Sequence, residues 1–427
     1  MTLEIRLLSF TTGQPHPLAE QPIIFITTKS LLLGHCNVLI EIVGDFLALL
    51  ITFPWARNEL EDMFFLVRWK KGEAHCVSDI PLIPAPSLKL YLLSQLRSSE
   101  WGAYAYFSFL SQDTLVIPNL IHNTLEVVKI VIKSDEIPCL VPLCVLNLPP
   151  LTRRASIVRL GCRAEPNPTS LGPLAIPAPS NRPFRDKAED AIILFSVLIE
   201  DIQMHPGHFH FPDTRPFTFI VHRRALLDHI PDAHRACAPF CSIPEPAPEP
   251  VQVPWEAWGT SATRWFEGDP ASMRWITTTA GQRAVTMVDG DITPIIVRDF
   301  NPYAVHSARA RAAASEYLQQ GCDWSEDLPN GNVMTLRVDD SVISAGSVFK
   351  EDVRSSLAYV EIVTRAEYRY EGVLIDEERI LGLKVCPCSS SCFRFIWLLK
   401  FSFSYRLAKK TSLGFRPLTF ISWVRML

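Results

Sequence analysis

A chain of 427 residues, 48% hydrophobic and 20% charged, carries enough apolar surface for a large folded core, which excludes a disordered protein. It is also longer than one compact core usually holds, leaving either several domains or one large repeating β architecture. A net charge of −4 gives no whole-chain attraction to nucleic-acid phosphates or to an anionic membrane surface, so neither is an expected partner.

Proline is the compositional outlier: 34 residues, roughly 8% against a typical ~5%, disfavour long helices and suit short strands joined by rigid turns. Residues 1–40 carry Glu4 and Arg6 and no apolar run leading to a small-residue cleavage site. No export signal is therefore read, and the cytoplasm or nucleus is the expected compartment. Eleven irregularly spaced cysteines, an odd number, fit reduced thiols there better than a disulfide set. The stretch Pro22 to Pro54 is broken by Lys29, His35, Glu41 and Asp45, and Phe393 to Leu407 by Arg394, Lys400 and Arg406. Neither offers about 18 clean apolar residues, so neither is expected to span a bilayer.

From Glu41 to Lys384 short apolar segments alternate with proline, glycine and charged turns, the pattern of an all-β sandwich, barrel or propeller. Met63 to Val67, Tyr104 to Leu110 and Phe217 to Val221 are apolar on both faces and predict strands covered on both sides. Ala188 to Ile202 fits a helical face as well as a strand; its compact run from Ile192 to Ile199 in β-rich surroundings favours the strand. Residues 165–183 and 239–254 read as loops or linkers, the second an extended proline-rich spacer. Tyr303 to Tyr317, behind Asn301 and Pro302, is the best helix candidate. Met334, Leu336 and Val338 alternate with Thr335, Arg337 and Asp339, and Tyr368 and Tyr370 with Arg369 and Glu371, predicting strands with one wet face.

Residues 385–427 change character. They hold seven Lys or Arg, no Asp or Glu, and the cysteines Cys386, Cys388 and Cys392, whereas the preceding 384 residues carry a net charge of −11. Such an apolar, cationic tail on an acidic body is expected not to be a native blade. A coding transcript read through the codon after Lys384 tests this.

Several groups of residues have the chemistry of sites. His205, His208, His210, His222, His229, His234, Cys237 and Cys241 are zinc-type ligands, with His229, His234, Cys237 and Cys241 the most suggestive subset. The spacing matches structural zinc sites only loosely, and ordinary loop and strand histidines are the commoner reading. Glu61 with Asp62, and Asp376 with Glu377 and Glu378, read as solvated turn charges rather than a carboxylate pair across a cleft. Trp255, Trp258, Trp265 and Trp275, with Arg264 and Arg274, have interface composition but more often fill cores between sheets. No nucleophile elbow, P-loop or dinucleotide-binding turn is present. The chain is accordingly not read as an enzyme. No catalytic, metal or cofactor-binding residue is assigned, no cofactor is expected, and the partner-binding residues are left open.

The stretches FLSQDTLVIPN (Phe109 to Asn119), FTFIVHRRALLDHI (Phe217 to Ile230), SMRWITTTAGQRAV (Ser272 to Val285), VRDFNP (Val297 to Pro302) and YEGVLIDEERILGLK (Tyr370 to Lys384) resemble a large group of fungal F-box proteins. The resemblance runs over 41–384, about four fifths of the chain. It implies an all-β fold with few short helices, an irregular β-propeller that holds a protein substrate while an N-terminal F-box grips the adaptor of a cullin-RING ubiquitin ligase. Residues 1–40 contain no leucine-proline-led F-box pattern, which leaves adaptor docking without its docking element. Ending at Lys384 or in the tail would leave the propeller incomplete, with exposed sheet edges. The expectation is a protein-binding propeller with an unknown protein substrate. The alternatives are a glycan-binding or glycan-hydrolysing propeller, a zinc-organised fold, and a truncated gene product without function.

Overall fold

The computed structural model describes residues 2–9, 12–27, 37–52, 63–71, 73–76, 104–132, 138–168, 187–201, 213–235, 249–268, 278–287, 290, 292–314, 324–376, 379–385, 393–399 and 425–426. Strands β1 (Thr2–Arg6) and β2 (Ile23–Thr27) form an antiparallel hairpin, the first sheet. The second sheet is an antiparallel meander of β3 (Asn37–Val43), β4 (Phe46–Thr52), β5 (Met63–Arg68) and β6 (Glu73–Cys76). Gly44, at φ +59, opens the two-residue turn in which Val43 faces Phe46, a left-handed backbone glycine adopts without steric penalty. The third sheet is the meander β7 (Ser108–Phe109), β8 (Thr114–Asn119), β9 (Thr124–Ile132) and β10 (Pro138–Asn147).

β11 (Ala155–Arg163), β12 (Ile192–Asp201) and β13 (Asp213–His222) begin the fourth sheet. Two short helices follow, α1 (Arg223–Leu227) and α2 (Asp232–Arg235). β14 (Val251–Val253) then returns to the third sheet, parallel to Cys144–Leu146 of β10. After α3 (Trp255–Ala262), β15 (Thr263–Glu267) completes the fourth sheet beside β13. The fifth sheet contains β16 (Thr279–Ala280), β17 (Arg283–Met287) and β18 (Thr293–Asp299), then, past α4 (Pro302–Ala314), β19 (Trp324–Asp327) and β20 (Val333–Arg337). β21 (Ser341–Ile343) and β22 (Val353–Ser355) make a separate ribbon, and β23 (Tyr359–Tyr368) inserts between β18 and β20. β24 (Gly372–Ile375), β25 (Ile380–Val385) and β26 (Phe393–Leu399) form the sixth sheet, and β27 (Arg425–Met426) pairs with β1.

The sheets pack face to face in chain order because their inner strands are apolar on both sides. In β4, Leu47, Leu49 and Ile51 join the core shared with Leu3, Ile5, Ile24 and Ile26 of the first sheet. The alternate residues Phe46, Ala48 and Leu50 join the core shared with Phe109, Leu115 and Val128 of the third. In β12, Phe195 and Val197 face the third sheet, while Ile192 and Leu194 meet Ala284, Phe300 and Tyr359 of the fifth. Val285 and Val297 of the fifth sheet pack on Val373, Ile375 and Ile380 of the sixth. A period of two along each strand thus serves two cores, the arrangement that continuous apolar strands permit. The fold is all-β with few short helices, irregular, and without a closed ring among the described residues.

Within Ala188 to Ile202, one short 3-10 turn at Ala188–Asp190 is followed by β12 over Ile192–Asp201, the strand that the compact run from Ile192 to Ile199 predicts; Ile202 lies outside the described residues. The predicted helix near Tyr303 is α4, starting with Pro302 and capped by Asn301, whose Oδ1 accepts the Tyr303 N–H at 2.9 Å. Three expectations are corrected. Tyr104 to Leu110 is buried at Tyr104, Phe107, Phe109 and Leu110, but only Ser108–Phe109 pairs as strand. The end of the 239–254 spacer is β14, an added edge strand. Thr335 is buried rather than wet, and its hydroxyl finds a partner there in that of Ser325, 3.0 Å away on the neighbouring strand. The N-terminal segment assigned to 1–40 holds β1, β2 and the start of β3. Most of 385–427 lies outside the described residues, β26 and β27 excepted. Among the described residues no helix is long and apolar enough to cross a membrane.

Candidate functional site: a cavity where three sheets begin

The opening strands of the second, third and fourth sheets bring their N-terminal ends together around a cavity of about 630 Å³. Asn37 opens β3, and its cross-strand partner Thr52 ends β4. Tyr104 to Tyr106 lead into β7, and Ala155 to Arg159 open β11. The turn from β8 to β9 contributes Leu120, Ile121 and Asn123. That turn is shaped by Asn119, whose Oδ1 accepts the N–H groups of Ile121 (3.1 Å) and His122 (3.0 Å), while Asn123 takes a φ of +53.

Beneath the turn lies a buried polar network. The amide of Asn119 donates to Glu126 Oε1 at 2.8 Å and to Tyr104 Oη at 3.2 Å, and the Tyr104 hydroxyl donates to the Glu126 carboxylate at 3.1 Å. Burial pushes the Glu126 carboxyl above the usual range, opposed by these two donors and by the charge of His122. The network fixes Tyr104 on the cavity wall.

On the opposite wall β11 is irregular. Ile157 faces Ile199 and Arg159 faces Leu198, so Val158 is an extra residue in the ladder. Such a bulge re-aims side chains, and here Val158 (42% exposed) and Arg159 both reach the surface at the cavity. The described lining is mixed: exposed apolar Ile121 and Val158, half-buried Tyr106, amides and hydroxyls, one guanidinium, and no carboxylate.

Farther along the same strands, about 13 Å beyond Asn37 at ~3.3 Å per residue, lies a charged cluster that ties four sheets. The Phe109 N–H of β7 donates to Glu41 Oε2 of β3 at 3.2 Å. Arg223, fully buried, donates to the carbonyls of Pro166 (2.6 Å), Ala188 (2.9 Å) and Ala164 (3.1 Å). The Glu165 N–H donates to Thr279 Oγ1 of the fifth sheet at 3.2 Å. Burial pushes Glu41 up to about 8 and Glu165 also contributes to the rise, against the Phe109 donor and the charges of Arg223 and Arg163. Burial likewise raises Glu165 and brings Arg223 down to about 10, the carboxylates pulling Arg223 back up. The Cys162 thiol is raised well above its ordinary value by burial and by Glu41, making it a poor nucleophile. Two contacts of the cluster cross between sheets, Phe109 N–H to Glu41 and Glu165 N–H to Thr279, while Arg223 ties together the chain segments that flank the fourth sheet and keeps its Nε without a hydrogen-bond partner.

The residues singled out from sequence fall elsewhere. Trp255, Trp258 and Trp265 are core: the Trp265 ring stacks on Phe219 at 4.7 Å, and Trp258 donates its indole N–H to the Asn147 carbonyl at 2.8 Å. Arg264 lies over the Tyr359 ring and donates to the Asp339 carbonyl. Trp275 and Arg274 lie outside the described residues. His222 ends β13 with Nδ1 3.0 Å from the Asp190 carbonyl, and burial lowers its pKa. His229 and His234 lie on the following turn and helix α2, while His205, His208, His210, Cys237, Cys241, Cys386, Cys388 and Cys392 lie outside the described residues. Among the described residues no three metal-type ligands converge. Asp376 closes a turn by pairing with Arg379 at 2.9 Å, and Glu61, Asp62, Glu377 and Glu378 lie outside the described residues. The legible signals for what was missed were single charges inside apolar strand runs, Glu41 in LIEIV and Glu126 in TLEVV. No protein-family model matches the chain, and neither a curated protein nor a solved structure matches it.

Proposed function

We propose that the chain is a protein-binding β-propeller of irregular form, similar in role to the substrate-recognition part of F-box proteins, with its partner held at the cavity where β3, β7 and β11 begin. The observation that carries the reading is the cavity rim. Ile121 and Val158 are large apolar side chains exposed beside a concave, largely preformed wall containing Tyr106, the combination that peptide and protein partners use. The stacked antiparallel sheets, each sharing a core with the next, support the propeller description.

The test is affinity purification with mass spectrometry of the full chain against an Ile121→Asp/Val158→Asp variant of unchanged melting temperature. Proteins recovered with the parent and lost with the variant support the reading, and recovery of a ligase adaptor extends it to ubiquitin transfer. Identical recovery by both chains removes the cavity as the binding site.

A glycan-binding reading has one observation in its favour, Tyr106 placed with Asn37, Asn123 and Ser156 in the same cavity. A glycan array on which the parent is retained and Tyr106→Ala is not would favour it over a protein partner.

A further inference from the structure

Resting on that reading of the cavity, we infer that the partner enters it as an extended peptide strand, pairing through its backbone with the free edge of β11 at Ile157 while its side chains meet Val158 and Ile121. Five consecutive residues of β11, Ala155 to Arg159, line the cavity. Neighbouring side chains of a strand point to opposite faces, so a run without gaps means that the cavity lies along the strand's edge rather than over one face. Ile157 carries the point furthest. Its side chain belongs to the core shared by the third and fourth sheets, so what it shows the cavity is its backbone.

The register fixes which way that backbone points. The Gly268 N–H donates to the Pro216 carbonyl at 2.9 Å, so Pro216 turns away from its β12 partner Leu198. By the alternation of an antiparallel ladder, Leu198 and Glu200 then bond toward β11, and Ile199 and Asp201 toward β13. Ser156, opposite Glu200, is therefore bonded to β12, whereas Ala155 and Ile157, opposite Asp201 and Ile199, turn their N–H and C=O groups to the free edge. The Ala155 N–H agrees, because it donates to the Thr152 carbonyl at 3.2 Å rather than to β12. Among the described residues β11 has no strand neighbour but β12, and the Ile157 N–H and C=O stand as a donor and acceptor open to the cavity. Such a pair on a strand edge is what an added strand takes up. The bulge sets Val158, 42% exposed, at the same edge, and Ile121 stands exposed at the rim, apolar ground for the partner's side chains. A cavity of about 630 Å³ admits a short segment, in keeping with one open pair rather than a long added strand.

The probes are the fluorescein-labelled heptapeptide Ser-Thr-Val-Thr-Val-Thr-Ser and the same peptide N-methylated at its three central residues, which removes the donors on both of its edges. Each is titrated with the full chain by anisotropy. The unmodified peptide is expected to bind about tenfold tighter, the worth of one or two backbone hydrogen bonds. It should also slow residue-resolved hydrogen exchange at the Ile157 amide about tenfold, while leaving Ser156, already bonded to β12, unchanged. Val158→Asp should weaken both peptides. Equal binding of the two peptides, both weakened by Val158→Asp and with Ile157 exchange unchanged, would overturn strand addition and leave the peptide cavity standing. Absence of binding by both, or binding indifferent to Val158→Asp, would overturn both readings.

Discussion

Glu41→Gln should change the pH dependence of stability in a direction fixed by the cluster around it. Glu41 is half-buried as a residue, its carboxyl is raised from 4.5 to about 8, and the first cause is loss of water. A carboxyl whose folded value is raised stabilises fully below the unfolded value near 4.5, and that stability drains away as pH rises through about 8. At about 1.4 kcal/mol per unit, ionising Glu41 in place costs at most about 5 kcal/mol. Water reaching a half-buried residue and the ability of Arg223 to relax toward it reduce this to roughly 2 kcal/mol. Glutamine keeps an oxygen for the Phe109 N–H without the ionisation. Paired unfolding curves at pH 5, 6.5 and 8 should therefore show the variant near the parent at pH 5 and more stable by roughly 2 kcal/mol at pH 8. Glu165 and Glu126 are also raised and keep the same sign in both chains, while His222, lowered by burial, withdraws stability below pH 6.5 in both. A constant difference between the two chains across this range would refute the assignment of a strained charge to Glu41.

Arg223→Met leaves the carbonyls of Pro166, Ala188 and Ala164 without their donor, and denaturant unfolding should show a loss of about 3–5 kcal/mol. Gly259→Ala tests packing against propensity. In an open helix it would stabilise by up to ~1 kcal/mol, but here the new Cβ falls 1.9 Å from the Trp255 ring, so thermal melts should show destabilisation of about 1–3 kcal/mol. Trp265→Ala removes the ring stacked between Phe219 and the Trp255 and Phe349 edges and should cost about 3–5 kcal/mol by the same measurement. Arg159→Glu, at an exposed position, should leave the melting temperature within the effect of ~0.5 kcal/mol while weakening capture of partners.

The sequence made the sheet-forming core readable wherever the local signal and the burial agree. β4, β5, β12 and β13 are apolar on both faces because each divides its side chains between two cores; the runs of β5 and β13 read as strands from sequence, whereas that of β12 fits a helical face as well and is favoured as strand only by its β-rich surroundings. Trp255, Trp258 and Trp265 read as core for the same reason. What was not readable depends on contacts distant in the chain. Tyr104 to Phe107 has strand composition but is not strand, and burial against the second sheet holds it instead. β14 pairs with β10 from about a hundred residues away, which composition of a proline-rich stretch cannot announce. The cavity is assembled from the ends of three sheets, and its most exposed apolar member, Val158, owes its position to a bulge visible only in the register against β12.

The claim that this cavity is where the protein meets its partner is tested most directly by placing a photo-crosslinking amino acid at Val158 in the full chain, with a matched chain carrying it at the exposed Tyr303 on α4. Discrete protein adducts are expected from Val158, and none of those adducts from Tyr303. Identical adducts from both positions, or none from Val158, would contradict it.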